Sequence, residues 1–461
     1  MLRKIGIFLS HKIEKWMPDS FVFAFLLTLL ASFLALTFTP TRPLELLEHW
    51  HEGFWSMLSF TMQIVLILML GYIVGISPPV GTFFDYLSKK IKKPTSGYLI
   101  ISLVSLTLSL INWGMAPVAA VFAAEVCRRV KGIDFRLACA AVYVSFLPCQ
   151  GGLSAVAPLM MNTPGNEFIK MGIVDEIIPI SATLGSALNL TLLVLSFVFI
   201  PLIIIAMAPI KTEKHYDAAL LWERGEGSPN NKNVNDLDSS IGKFKTRPHS
   251  LSEMLNNSRV LNYSIVALGF IYLFYHFSQT GMDGLELNSL NFAFLMLGLA
   301  LHGSPMHYLK AAAEAVKGMS PLMLQFPFYA GIMGIVMHSG LSGIITDFFI
   351  NISTYSTFPW LAFVAAAVVN LFIPSGGGEW MVIGPSLLSA AEGLGVSLER
   401  VVVAFSYGDT ITNLINPFWT LSFLPVMVKI MDIKAREFMG YTILVSLLFF
   451  VIYSAAILLI P

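Results

Sequence analysis

Runs of about 20 apolar residues, the length an α-helix needs to cross a bilayer, recur from one end of this chain to the other. They include Phe21 to Phe38, Met57 to Ile76, Ala187 to Ala208, Val260 to Phe277 and Gly440 to Ile460. Such runs leave few folds open, because a backbone N–H or C=O unpaired in hydrocarbon costs several kcal/mol. Only 12% of the 461 residues are charged and 56% are hydrophobic, against about 25% charged in soluble proteins. The expected class is an all-α polytopic membrane protein. Two apolar stretches are nevertheless interrupted by helix breakers. The first runs from Leu110-Ile111-Asn112-Trp113-Gly114 through Cys149-Gln150-Gly151-Gly152 to Asn162-Thr163-Pro164-Gly165. The second runs from Ile373-Pro374-Ser375-Gly376-Gly377-Gly378-Glu379 to Gly408-Asp409-Thr410-Ile411-Thr412-Asn413 and Asn416-Pro417. Broken helices persist at membrane depth only where protein or a water-filled cavity satisfies them, and one such break per half points to a secondary transporter's binding site.

The net charge is zero and so indicates no nucleic-acid partner, but its distribution is lopsided. Of 28 Lys and Arg residues, all but Arg42, Lys170 and Arg400 fall in loops on one side of the spans. The positive-inside rule makes that side cytoplasmic, which places the N-terminus in the cytoplasm and the C-terminus opposite. The first apolar run exceeds a typical signal h-region and has no small-x-small cleavage site before Pro40-Thr41-Arg42, so a retained span is expected. Cys127, Cys139 and Cys149 lie in or near the membrane, where no structural disulfide is expected.

Internal similarity is weak but ordered. Asp19-Ser20-Phe21-Val22-Phe23-Ala24-Phe25-Leu26 echoes Asn288-Ser289-Leu290-Asn291-Phe292-Ala293-Phe294-Leu295. After each come a proline-led amphipathic stretch, a full span, a second amphipathic stretch, a glycine-tipped hairpin, a broken span and a closing span. One extra span, 260–280, separates the copies, so the second starts from the opposite face. The pattern predicts inverted-topology repeats with about nine membrane crossings, two of them broken helices, plus two re-entrant hairpins. Residues 1–208 form the first repeat and 286–461 the second, while 209–259 read as a flexible polar connector in the cytoplasm.

No Lys or Arg lies deep in the spans. The deep acids are Glu379, at the second hairpin tip, and Asp409, at the second break. A charge there costs roughly 2.5 to 3.5 kcal/mol on insertion scales and is expected to face a cavity or a partner; the alternative is a structural acid that accepts from freed N–H groups. Thr410, Thr412, Asn413 and Asn416 follow Asp409. Their oxygens, with carbonyls released at the break, suit a hard cation. Glu379, Asp409, Thr410, Thr412 and Asn416 are therefore the candidate cation-coupling residues, and Asp409, Thr412 and Asn413 the candidate Na⁺ ligands. The competing reading has them back-bond to the helix and cap its halves. Ser375, Gly376, Gly377 and Gly378 open the second arm of a hairpin, where free N–H groups favour an anion. With Asn112 and Gly114 of the first hairpin, Gly151, Gly152 and Ser154 of the first break, and Asn413, they form the candidate substrate-binding set. Tight turns alone also call for glycine. Trp113, Trp380 and Trp419, close to the breaks, either wall a pocket or fill the core.

At these residues the chain resembles the bacterial short-chain fatty acid transporter family, which includes the permease for acetoacetate and butyrate. Carrying the resemblance are Trp16-Met17-Pro18-Asp19, Ile111-Asn112-Trp113-Gly114, Asn162-Thr163-Pro164-Gly165-Asn166, Gln325-Phe326-Pro327-Phe328-Tyr329-Ala330-Gly331-Ile332, Pro374-Ser375-Gly376-Gly377-Gly378 and Pro417-Phe418-Trp419. It covers nearly everything outside 211–258. It implies uptake of short monocarboxylates across the bacterial inner membrane, in a layout similar to ion-coupled carriers with two hairpins and two broken helices. Many such carriers are dimers, and a homodimer is the expectation by that analogy.

The expected function is a secondary carrier for acetoacetate, butyrate or a similar monocarboxylate, or for another small organic anion. With no deep basic side chain, the carboxylate must be met by backbone N–H groups, Ser and Asn donors, and a co-transported H⁺ or Na⁺; no other cofactor is expected. An intramembrane aspartyl protease, suggested by Tyr407-Gly408-Asp409, needs a second aspartate to share a proton, and no second deep Asp is present. A passive channel has no need of inverted broken helices around an occluded site.

Overall fold

A computed structural model describes residues 20–209, 216–223, 250–316, 320–371, 373–416, 419–420, 427 and 433–460. The basic residues before the first span, Trp16 to Asp19, most of the connector, Pro417 and Phe418 lie outside the described residues. Among the described residues every regular element is helical.

The chain opens with α1 (Ser20–Phe38), α2 (Pro43–Ser56) and α3 (Leu58–Gly75). The span expected from Met57 begins at Leu58, and Phe54 stays on α2, where its ring packs against Trp50 and Phe328. Proline opens α2, α4 (Pro78–Lys90) and α5 (Pro94–Ile111), as its fixed φ and missing N–H suit a first helical turn. A short 3₁₀ turn, Trp113–Met115, reverses the chain into α6 (Ala116–Arg129). The first broken helix comprises α7 (Phe135–Val144) and α8 (Val156–Asn162), and α9 (Ala187–Ala206) closes the half. From the connector comes α10 (Ala218–Glu223), followed by the linking helix α11 (Arg259–Thr280).

The second half contains α12 (Leu287–His302), α13 (Pro305–Val316), α14 (Ser320–His338) and α15 (Leu341–Ile352). Gly340, at φ 84°, permits the 77° bend between α14 and α15. The second hairpin is α16 (Phe358–Val369) and α17 (Gly376–Gly393). It is followed by α18 (Leu398–Asn413), which ends at the second break, and by α19 (Ala435–Leu459).

Among the described residues six helices are long and apolar enough to cross a membrane, or seven if α14 and α15 count as one span. Nine crossings were expected; α12 and α18, with 16 residues each, fall below span length, and α1 counts only from Ala24 to Phe38. Conversely α5, one arm of the first hairpin, has 18 residues. At 1.5 Å per residue it reaches about 27 Å, close to the hydrocarbon thickness.

The same neighbour pairs recur in both halves. Helix α14 packs on α1 and α2, and its counterpart α3 packs on α12 and α13. Glycine permits the first of these approaches, since a Cβ on Gly334 would fall 2.3 Å from the His49 carbonyl oxygen. Hairpin arm α5 touches α7 and α9, as α16 touches α18 and α19. The broken helices also cross over, α7 onto α19 and α18 onto α9.

Helices α4 and α6, each ending in a basic loop, pack together. There Arg129 pairs with Asp85 at 2.7 Å, and buried Arg136 pairs with Asp134 at 2.6 Å. Two connector residues, Tyr216 and Asp217, are docked beside these pairs. The Asp217 carboxylate accepts from Gly132 N–H at 2.7 Å, the Tyr216 ring lies 3.5 Å from the Arg136 guanidinium, and the Tyr216 hydroxyl donates to Glu437 at 3.2 Å. An aromatic and a buried acid give this part of the segment partners that its polar composition concealed. At the opposite end, Asn162 donates to the carbonyls of Asp283 and Leu285, and Thr41 to that of Ser339.

Candidate functional site

The first hairpin tip is closed by its own residues. Asn112 is buried, accepts from Gly114 N–H at 2.7 Å and donates to the Ile67 carbonyl of α3 at 3.0 Å. Trp113 N–H donates to Ser154 Oγ at 3.1 Å, and Leu153 N–H to the Leu110 carbonyl at 2.7 Å. Cβ atoms on Gly114 and Gly152 would fall 2.6 Å from Leu68 O and 2.4 Å from Leu110 O. Asn112, Gly114, Gly152 and Ser154 are thus brought together, with these groups engaged in binding tip, break and α3 to one another.

The second tip is built differently. Ser375 caps α17, its Oγ accepting from Gly378 N–H at 3.4 Å. The N–H groups of Gly376 and Gly377 have no acceptor among the described residues, as the first turn of a helix leaves them. Gly377 and Gly378 seat the helix start on α14: added Cβ atoms would lie 2.9 Å from the Phe326 ring and 2.4 Å from the Tyr329 ring. The two distinctive sequence strings of the chain therefore touch. Gly376 instead faces polar atoms, with Gln150 Nε2 at 2.8 Å and Asp409 Oδ2 at 2.9 Å from the position of an added Cβ.

One turn into α17, Glu379 meets Asp409 of α18. Their relative exposures are 0% and 1%, and their carboxyl groups interact directly, with no cationic side chain among the described residues acting on either. Neither Glu379 oxygen nor Asp409 Oδ1 receives a hydrogen bond from any described donor. Two bare carboxylates so buried would cost several kcal/mol each, and a shared proton or a bound cation removes that cost. The orphaned oxygens thus fit a proton or a hard cation.

The remaining polar residues of the second break turn elsewhere. Thr410 Oγ1 donates back to Tyr407 O at 3.2 Å. Thr412 Oγ1 donates to Ala367 O at 2.9 Å and accepts from Asn370 Nδ2 at 2.9 Å. Asn413 Oδ1 accepts from the same amide at 2.8 Å. The carbonyls of Asn413 and Asn416 both accept from the Tyr143 hydroxyl, at 2.6 and 2.8 Å. Burial therefore groups Asp409 with Glu379, and hydrogen bonding groups Thr412 and Asn413 with hairpin arm α16 and its cap Asn370.

Reading the sequence missed Asn370 and a reciprocal tyrosine pair. Tyr143 of the first broken helix reaches the second break, while Tyr407 of the second donates to Asn189 Oδ1 at 2.8 Å. Asn189 Nδ2 in turn donates to the Gly151 carbonyl at 3.1 Å. The available signal was a tyrosine near the end of the helix before each break. The tryptophans separate: Trp113 meets Trp419 edge to face at 5.5 Å, whereas Trp380 is packed between Phe168 and Phe405 at 5.5 and 4.5 Å.

Comparison with known proteins places this geometry. The family model described as short chain fatty acid transporter matches residues 1–460. A protein of Escherichia coli strain K12 whose name places it among short-chain fatty acid transporters is 36% identical over 445 residues, 96% of each chain. One of the same name from Haemophilus influenzae is 35% identical over 447 residues, again 96% of each. Among solved structures, Neisseria gonorrhoeae MtrF, presented as illuminating a class of antimetabolite efflux pumps, aligns with a TM-score of 0.56 at 13% identity, over 98% of this chain and 97% of its own. The Alcanivorax borkumensis YdaH transporter, reported to have an unusual topology, aligns with a TM-score of 0.53 at 16% identity, over 95% and 98%. At these identities the likeness is one of fold.

Proposed function

We propose, for a chain that belongs to the short-chain fatty acid transporter family, a secondary carrier that takes up acetoacetate, butyrate or a similar monocarboxylate together with a cation. Membership makes the chain a membrane transporter, not an enzyme. One observation carries the coupled mechanism: the buried acid pair Glu379 and Asp409, three of whose oxygens have no donor among the described residues, adjoins Gly376, whose N–H, like that of Gly377, has no acceptor among them.

Gly376 and Gly377 N–H groups at the head of α17 receive the carboxylate, aided by the positive end of the helix. Glu379 and Asp409 hold the cation. A carboxylate about 5 Å from another negative charge is disfavoured by about 3 kcal/mol at an effective dielectric of about 20. The acids therefore take up H⁺ or Na⁺ before the substrate settles, and the two move together. This reading assigns the cation to the Glu379–Asp409 pair and leaves Thr410, Thr412, Asn413 and Asn416 to hold the break open.

The two halves act as inverted repeats whose re-entrant hairpins enter from opposite faces; the recurrence of neighbour pairs supports this. The basic loops favour a bacterial inner-membrane protein with a cytoplasmic N-terminus and an external C-terminus, and family analogy favours a homodimer. Proteoliposome uptake of labelled acids of two to six carbons tests the proposal. An inward Na⁺ or pH gradient is expected to accelerate uptake, which saturates with substrate. Uptake indifferent to both gradients, or a current that never saturates, refutes it; saturable uptake restricted to other anions refutes only the substrate assignment.

A further inference from the structure

We propose that Gln150 is a substrate-recognising residue, contributed by the first break to the carboxylate site at the second hairpin tip. The inference rests on the transport reading above and adds to it the residue that selects an anion.

Gln150 lies in the 3₁₀ turn Cys149–Gly151 and is 8% exposed. Its Oε1 accepts from Val156 N–H at 2.6 Å, at the start of α8. An N–H only donates, so that bond fixes the orientation of the carboxamide: oxygen toward α8, amine away from it. No described residue accepts from the amine. Nε2 is directed to Gly376, 2.8 Å from the position a Cβ there would occupy, with Asp409 Oδ2 2.9 Å from the same position. A donor left without an acceptor is costly where water is scarce, and Nε2 adjoins Gly376, whose N–H also has no acceptor among the described residues.

These donors come from both halves of the molecule, Gln150 from the first and the glycine N–H groups from the second. Three N–H sources suit a carboxylate once the carboxyl pair beside them has been neutralised and no longer offers its oxygens to a competing amide's donors. The adjacent carboxyl pair deters the anion until it has been neutralised. Gln150 therefore ties recognition of the substrate to occupancy of the cation site, and any side chain at residue 376 would separate the two.

Two variants distinguish recognition from capping. Gln150→Glu keeps an acceptor for Val156 N–H but removes the amine, and Gln150→Met removes both without adding charge. In proteoliposomes at saturating cation, each is expected to raise the KM for labelled butyrate about tenfold or more, the loss of one hydrogen bond to a charged group. Vmax is expected to stay within about twofold. The preference for butyrate over butyramide as a competitor should fall in both variants. A wild-type KM in Gln150→Glu with impairment only in Gln150→Met means that Gln150 merely caps α8, and the inference is overturned. Loss of Vmax at unchanged KM in both overturns it as well. Absence of gradient-driven uptake by the unmodified protein is the separate sign that the transport reading itself has failed.

Discussion

Single residues decide how closely the breaks approach the hairpins. Gly152 is confined by backbone, since an added Cβ would meet the Leu110 carbonyl oxygen at 2.4 Å, whereas Gly81 on α4 has nothing within 4 Å. Gly152→Ala is expected to cost about 1–3 kcal/mol, as overpacking does, and to lower the thermal unfolding temperature in detergent. Gly81→Ala should leave that temperature unchanged or raise it slightly, because alanine is the better helix former. Equal effects of the two substitutions would contradict the close approach. That Gly151, Gly152 and Gly376 to Gly378 matter was legible from glycine's place in apolar runs. What each one faces was not. Gly377 and Gly378 meet rings from α14, while Gly376 meets Gln150 and Asp409, and those partners lie far away in sequence. The same distance hid the meeting of Glu379 and Asp409, which looked like two separate deep acids until α17 and α18 were folded together.

At the scale of elements, the broken helices are held by each other. Tyr143 on α7 satisfies carbonyls at the second break, and Tyr407 on α18 satisfies Asn189 beside the first. Tyr407→Phe leaves a buried acceptor unpaired and should cost about 1–3 kcal/mol. Tyr143→Phe should do the same, each read as a lowered unfolding temperature with secondary structure intact; no change in either would show that the breaks do not depend on this exchange. Most helices of the described residues were readable from apolar periodicity and proline, and the turns Trp113–Met115 and Cys149–Gly151 fall where helix breakers interrupt the apolar runs. The contacts of Phe54 with Trp50 and Phe328 were not, because Phe328 lies far away in sequence. Nor was the docking of Tyr216 and Asp217, which depends on Arg136 and Gly132 standing ready to receive them.

For the whole molecule, the first break and the second hairpin tip meet where Gly376 faces Gln150 and Asp409. One half brings the amine of Gln150, which has no acceptor among the described residues, and the other brings helix N–H groups and two acids. Such a division lets movement of one half against the other open and close both ligand positions at once. Coupling then depends on neutralising the acid pair before an anion can rest beside it. Asp409→Asn makes one member of the pair permanently neutral, so the variant needs no gradient to admit substrate and gains nothing from one. The decisive measurement is gradient-driven uptake of labelled butyrate against gradient-free exchange, made on proteoliposomes of the unmodified protein and of Asp409→Asn. The expected result is uptake stimulated by a Na⁺ or pH gradient in the unmodified protein only, with exchange retained in both; gradient stimulation that survives in Asp409→Asn would show that the coupling cation binds somewhere else.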